Sequence, residues 1–383
     1  MTVNSGRKKV GIITMHKVHN FGSALQAYAL QRSILELGFD CELIDYIYPN
    51  NYHYSQTSNK KPSKTLKYFI KQLLFGFPAM KINMKFKSFY NSYFFLSKQT
   101  YNSIEEIHCS PPIYNIYITG SDQVWNPHFV KEDTTFMLSF IPNSKLKISY
   151  ASSFSTDKLD ENFIELYRRY LIEYSNISVR EKNGANIIRK MLGKDVDVVL
   201  DPTLLLTSKE WNGLVTLKLD EKPYILVYML GYVFDPFPYA YELIEKVRKQ
   251  TGYSVKVIGY SIAKGRNPIY DIVRNAGPLE FIQLFSGASF IITSSFHGTA
   301  FALNFNKSFY SLVNEIQNGD DRQLNLLRDV NAEDRAIRMN SDLTLVQLEY
   351  DKISINNNLN KLRERSISFL EKSLSNYSDH HIL

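Results

Sequence analysis

Short apolar runs rich in Val, Ile and Tyr alternate along the chain with stretches of helical periodicity. Val10–Met15 reads as a buried strand, followed by a polar turn at His16–Gly22. From Ser23 to Leu37 the apolar positions Leu25, Tyr28, Ala29, Ile34 and Leu35 recur near helical spacing, and Gly38 stands where a helix ends. Cys41–Tyr46 is the next strand. A strand, a short turn, a helix and a strand make a βαβ unit, which predicts a parallel sheet. The pattern repeats, with strands expected at Ile113–Thr119, Lys147–Ser152, Ser175–Val179 and Asp197–Leu200. After a break at Lys209–Pro223, further strands are expected at Tyr224–Leu230, Val255–Ile258 and Phe290–Thr293. Helices are expected at Tyr239–Gln250, Leu279–Phe285, Gly298–Leu303 and Asn358–Leu374. We therefore expect an α/β protein with two Rossmann-like parallel-sheet domains, 1–205 and 206–383, facing a cleft.

At 383 residues with 44% hydrophobic and 22% charged positions, the chain can bury a core in each half. Its two cysteines, Cys41 and Cys109, form no metal or redox motif, which predicts a reduced, cytoplasmic setting. No apolar run is long enough to span a bilayer, and the N-terminus lacks a secretory signal pattern. Charge changes the picture locally. Between Tyr46 and Ile104 there is no Asp or Glu, while nine lysines (60, 61, 64, 67, 71, 81, 85, 87 and 98) lie among many aromatics. The whole chain is only +7, so the remainder is slightly acidic. The window 46–104 is either a solvated insertion packed on its domain or a segment that docks on anionic lipid. Single-stranded nucleic acid is the weakest of the three readings, and we expect no nucleic-acid partner.

Four segments at strand ends carry candidate chemistry, because open α/β sheets bind ligands beyond the carboxyl ends of their strands. The first, His16–Gln26, opens the first helix, where backbone N–H groups favour an anion; Asn20, Gly22 and Gln26 are its candidates. In the second, Gly120, Ser121, Asp122, Gln123, Trp125 and Asn126 join amides and a carboxylate to an aromatic face, a set suited to a sugar. The third places Arg180 and Glu181 at a strand end, where the Arg fork can grip a carboxylate or phosphate. The fourth, Ser294, Ser295, His297, Gly298 and Thr299, puts hydroxyls and an imidazole at a helix start. Asp195-Val196-Asp197 has metal-binding spacing but reads more simply as a strand entry, so no metal is expected. P-loop, dinucleotide-binding, zinc-protease and nucleophile-elbow motifs are all absent.

His19–Tyr28, Gly120–Asn126, Ser178–Glu181, Asp201–Thr203 and Ser294–Thr299, in that order, resemble the polysaccharide pyruvyl transferase family. The resemblance covers most of residues 9–335. It implies a fold similar to the glycosyltransferase B architecture, with the acceptor on the N-terminal side and the donor on the C-terminal side. It also implies transfer of a carboxyethylidene group from phosphoenolpyruvate to two hydroxyls of a sugar in a surface polysaccharide or its lipid-linked precursor, with no cofactor beyond that co-substrate. On this reading His297, Arg180 and Asp122 are the catalytic candidates, and the enzyme works at the inner face of the cell membrane. Family members often carry Arg-Leu-His where this chain has Ser295-Phe296-His297, so either another cation, Arg180, Lys264, Arg266 or Arg322, meets the donor's charge or the donor differs. A nucleotide-sugar glycosyltransferase of the same architecture and a non-catalytic saccharide- or membrane-binding protein are the alternatives.

Overall fold

The computed structural model describes residues 7–48, 66–216, 222–231, 234–259, 269–314 and 322–375, with only the helical backbone described over 66–79. Seven strands form the first sheet: β1 (Lys9–Ile13), β2 (Asp40–Tyr46), β3 (Leu96–Tyr101), β4 (Ile116–Thr119), β5 (Leu146–Ser152), β6 (Asn176–Val179) and β7 (Asp197–Val198). Their order is β3-β2-β1-β4-β5-β6-β7, and neighbours pair in parallel. Six strands form the second: β8 (Tyr224–Tyr228), β9 (Ser254–Ile258), β10 (Asp271–Val273), β11 (Phe290–Thr293), β12 (Ser308–Val313) and β13 (Ala336–Arg338). These run β10-β9-β8-β11-β12-β13, again in parallel. Central strands such as β4, β8 and β11 are buried at every position, because helices cover both faces of such a sheet.

In each sheet the chain builds outward one way, then returns to the centre and builds the other way. The reversals fall between β1 and β4 and between β8 and β11. Such switch points leave a crevice at the strand carboxyl ends. Here the two crevices are brought face to face. Phe21, at the start of the first helix (Phe21–Glu36), stacks on Phe281 of the helix Pro278–Gly287 with ring centres 4.7 Å apart. One buried apolar cluster contains Leu25 and Leu30 together with Trp211, Phe281 and Phe301, so the two halves share a core. The helix Lys352–Ser375 crosses back over the first half. The backbone N–H of Leu200 donates to Ser366 Oγ (3.0 Å), and Arg363 Nε donates to the Leu204 carbonyl (2.6 Å).

The first helix begins at Phe21, two residues before the sequence expectation, because the Asn20 side chain caps it by accepting from the N–H groups of Gly22 and Ser23. β12 is harder to read in the sequence because Ser308 and Ser311 interrupt its apolar run; Ser311 is accommodated in the core by bonds with Thr299 and Gln323. In the basic window most of the described aromatics pack as expected of an insertion seated on the protein. A helix (Leu66–Tyr93) and β3 fill most of it, and Phe86, Phe89, Tyr90 and Phe94 are buried in the shared core. Lys85 pairs with Glu280 of the second half at 2.6 Å. The four rings face the protein core, while Lys81 and Lys87 are exposed. Lys60, Lys61 and Lys64 lie outside the described residues, as do the side chains of Lys67 and Lys71. No helix among the described residues is long and apolar enough to cross a membrane.

Candidate active site

The loops that follow β1 and β4 are tied together before any chemistry is considered. Gln26 Nε2 donates to Thr14 Oγ1 (3.0 Å), whose hydroxyl in turn donates to the Ser121 carbonyl (2.8 Å). Gly120 sits so close to Thr14, Ile12 and Leu30 that an added Cβ would lie 3.1 to 3.2 Å from them. Asp122 then takes a left-handed backbone (φ 75°), an unfavourable conformation for a non-glycine residue that costs about 1–3 kcal/mol. It is held by a bond from Ser153 N–H to its carbonyl (3.0 Å) and a short one from Ser23 Oγ to its carboxylate (2.5 Å).

Arg180 leaves the end of β6 and is buried. Its Nη1 donates to Asp201 Oδ2 at 2.8 Å, its Nη2 lies 3.9 Å from Asp122 Oδ1, and its guanidinium covers the Phe296 ring at 4.7 Å. Nε and Nη2 have no hydrogen-bond partner. Asp201 is saturated by comparison. Its Oδ1 accepts from Thr203 N–H and hydroxyl, and its Oδ2 accepts from Arg180 and Ser121. His297 enters from the second half at the start of the helix Phe296–Asn304, placing Nε2 3.6 Å from Asp201 Oδ2 with no hydrogen bond. On the other side of the ring is Gly22. A Cβ there would stand 2.0 Å from His297 Nδ1, so only glycine lets the first helix approach this closely.

Charge follows from this packing. Burial would raise Asp201, but His297 and Arg180 outweigh it and hold the carboxyl well below the usual range. Asp122 behaves alike, with burial overcome by Arg180, His297 and the Ser23 hydroxyl. Glu181 goes the other way, since burial pushes it up despite Arg180 and Arg322. Its Oε1 accepts from Ser153 and from the N–H groups of Phe154 and Ser155, while Oε2 has no partner.

The sequence candidates separate accordingly. Asp122, Arg180, Glu181 and His297 converge, with Ser121, Gly22 and Arg322 against them. The others shape the loops. Trp125 is a correction: its indole is 0% exposed, donates to the Phe136 carbonyl and packs on Phe154, so it offers no face to a sugar. Thr299 is likewise buried, bonded to the Ser295 carbonyl and Ser311. Asn126 caps the turn Pro127–Val130 and donates to Gln123. Ser295 caps the helix of His297, Ser294 accepts from Leu230 N–H, and Gly298 packs on Thr293. Sequence reasoning passed over Ser23, Phe296 and Asp201 as site residues. Asp201 was the legible one, since it stands in a quoted motif. Lys264 and Arg266 lie outside the described residues.

Two cavities are lined by sequence neighbours of Gly22 and His297. One, of about 270 Å³, is lined by His19, Asn20, Phe21, Phe86, Tyr228 and Arg274. The other, of about 90 Å³, is lined by Arg180, Asp201, Phe296, Arg322, Asn325 and Arg365 among others. No cluster of three or more metal-ligating side chains occurs among the described residues.

Two parallel sheets with facing switch points give a two-domain α/β fold of the glycosyltransferase B architecture. The chain belongs to the polysaccharide pyruvyl transferase family, whose model matches residues 20–315, and it is therefore a transferase. Among solved structures it is similar to the S. aureus MnaA–UDP co-structure (TM-score 0.50, 10% identity, covering 95% of this chain and 91% of that one). It is also similar to UDP-GlcNAc 2-epimerase from Methanocaldococcus jannaschii (TM-score 0.44, 12% identity, 93% and 92% covered). A third is E. coli heptosyltransferase WaaC with ADP-2-deoxy-2-fluoro heptose (TM-score 0.40, 11% identity, 81% and 90% covered). No curated protein matches the chain.

Proposed function

We propose that the protein transfers a carboxyethylidene group from phosphoenolpyruvate to two hydroxyls of a sugar, forming a cyclic ketal and releasing phosphate. The supporting observation is a buried Arg180 with two unpartnered nitrogens beside a His297 whose Nε2 is also unpartnered, where both switch points meet. The donor's C3 gains a proton as the first sugar hydroxyl bonds to C2. The C2–O bond to phosphate then breaks, and the second hydroxyl closes the ketal. Of the two hydroxyl protons released, one matches the proton gained at C3 and the other leaves with phosphate. His297 is suited to moving a proton, Asp122 to orienting or deprotonating a hydroxyl, and Arg180 to holding the donor anion. In the larger cavity, Phe21 and Tyr228 offer rings against which a sugar's apolar face can pack, and Asn20 and Arg274 offer polar contacts.

The test is incubation with phosphoenolpyruvate or with a nucleotide sugar, each with a lipid-linked oligosaccharide. Phosphate release with a ketal product supports this reading. Nucleotide release supports a glycosyltransferase of the same fold instead, and release of neither a binding protein. A lipid-linked acceptor requires work at a bilayer surface. The lysines at 60, 61, 64, 67 and 71 then give salt-sensitive binding to anionic vesicles, each contributing about 1 kcal/mol. Their joint change to Gln abolishes co-sedimentation and spares turnover on a soluble acceptor. Wild-type protein left in the supernatant at low salt overturns this placement.

A further inference from the structure

About half of the smaller cavity's wall comes from parts of the chain that the family match does not reach. Residues 20–315 are matched, whereas Arg322 and Asn325 come from the helix Arg322–Asp329 and Arg365 from the helix Lys352–Ser375. Three arginines face two aspartates, Asp201 and Asp329, in its wall. Both carboxylates are already matched: Asp201 by Arg180 at 2.8 Å and Asp329 by Lys182 at 2.7 Å. The buried donors are not. Arg180 Nε and Nη2 and Asn325 Nδ2 have no hydrogen-bond partner, although Arg180 is 7% exposed and Asn325 6%. An unmet buried donor costs about 1–3 kcal/mol, more for a charged one, and three lining one cavity call for an acceptor there. One water needs about 10–15 Å³ of such space, so a cavity of about 90 Å³ has room for a tetrahedral oxyanion. Phe296 organises the wall, carrying Arg180 on its ring at 4.7 Å and Arg322 at 5.9 Å.

We propose that this cavity holds the phosphate group of the donor, with Arg322 and Asn325 completing a site begun by Arg180. The inference rests on the phosphoenolpyruvate reading above. It also answers a question raised by the sequence: with Ser295 spent on capping a helix, the second cation comes from Arg322, on a helix further along the chain.

Titration of the full chain with inorganic phosphate by calorimetry tests the site without turnover. Wild type binds, and phosphoenolpyruvate displaces the phosphate. Arg322→Gln and Asn325→Leu each weaken phosphate binding by about tenfold or more, the loss expected for a charge-assisted hydrogen bond. Melting temperature reports whether each variant is folded. Should either fail, Arg365→Gln, at an exposed position, carries the test with a loss of about two- to threefold, as expected of an exposed ion contact. Unchanged phosphate affinity in the folded variants overturns the proposal, even where phosphoenolpyruvate turnover is found. Phosphate binding that is lost in the variants but not displaced by phosphoenolpyruvate overturns the donor assignment instead.

Discussion

Two histidines beside buried aspartates, His16 buried and His297 partly exposed, differ in what their ring nitrogens do. His16, just beyond β1, has Nδ1 3.1 Å from the Thr14 carbonyl and Nε2 3.0 Å from Asp45 Oδ1. Asp45 Oδ2 accepts from Lys17 (2.7 Å) and Thr100 (2.6 Å). His297 lies 3.6 Å from Asp201, with Nε2 unbonded and a partly exposed ring. Both aspartates are held below the usual carboxylate range, with burial outweighed by a histidine and a cation in each case. A depressed carboxyl therefore marks neither cluster as the active site. What differs is hydrogen-bonding capacity: His16 has spent both ring nitrogens inside one half of the molecule, whereas His297 Nε2 has no hydrogen-bond partner.

The comparison can be broken most severely at Asp201. Asp201→Ala leaves Arg180 buried without its close partner and should cost about 3–5 kcal/mol in denaturant unfolding. A loss below 1 kcal/mol means that water reaches Arg180 and the cluster is not buried in solution. Next, His297→Ala should lower turnover about 100-fold while the unfolding midpoint stays near wild type. Gly22→Ala should do comparable damage, because its methyl group takes the place of His297 Nδ1. His16→Ala should show the reverse pattern, losing about 2 kcal/mol of stability with activity per folded molecule retained. Activity lost in His16→Ala but kept in His297→Ala exchanges the two roles. Arg180→Lys retains a charge but loses the fork and the face laid on Phe296, so donor kcat/KM should fall about tenfold. An unchanged value moves the anion elsewhere.

The smallest effect is pH dependence. Asp45 has a folded pKa below its unfolded value of about 4. Its ionised form is thus favoured by folding, and this contribution is present above the unfolded pKa and lost as pH falls through the folded one. Asp45→Asn should flatten the acid side of the stability curve and leave the pH profile of turnover in place. A shifted turnover profile ties Asp45 to the chemistry.

Much of the fold was legible because period and burial agree. Tyr224–Tyr228 is apolar throughout and Phe290–Thr293 nearly so, the pattern of a strand covered on both faces. For the window 46–104 the sequence left a packed insertion and a lipid-docking segment both open, because lysines and aromatics share a composition whether the rings face lipid or core. Trp125 was misread for a similar reason, since rarity and a neighbouring carboxylate do not reveal which way a side chain points.

By itself the sequence determined the βαβ units, the two halves and the strand-end loops in which Asp122, Arg180 and His297 stand. Those follow from local periodicity and turn chemistry, which act over a few residues. Only the tertiary structure decided which loops meet. Residues about 60 to 100 positions apart come within hydrogen-bonding or ion-pair reach: Ser23 with Asp122, Asp122 with Arg180, His297 with Asp201. No local preference encodes those distances. They are set by the shared core behind Phe21 and Phe281 and by the missing side chain of Gly22, which lets one helix start press against an imidazole from the other half.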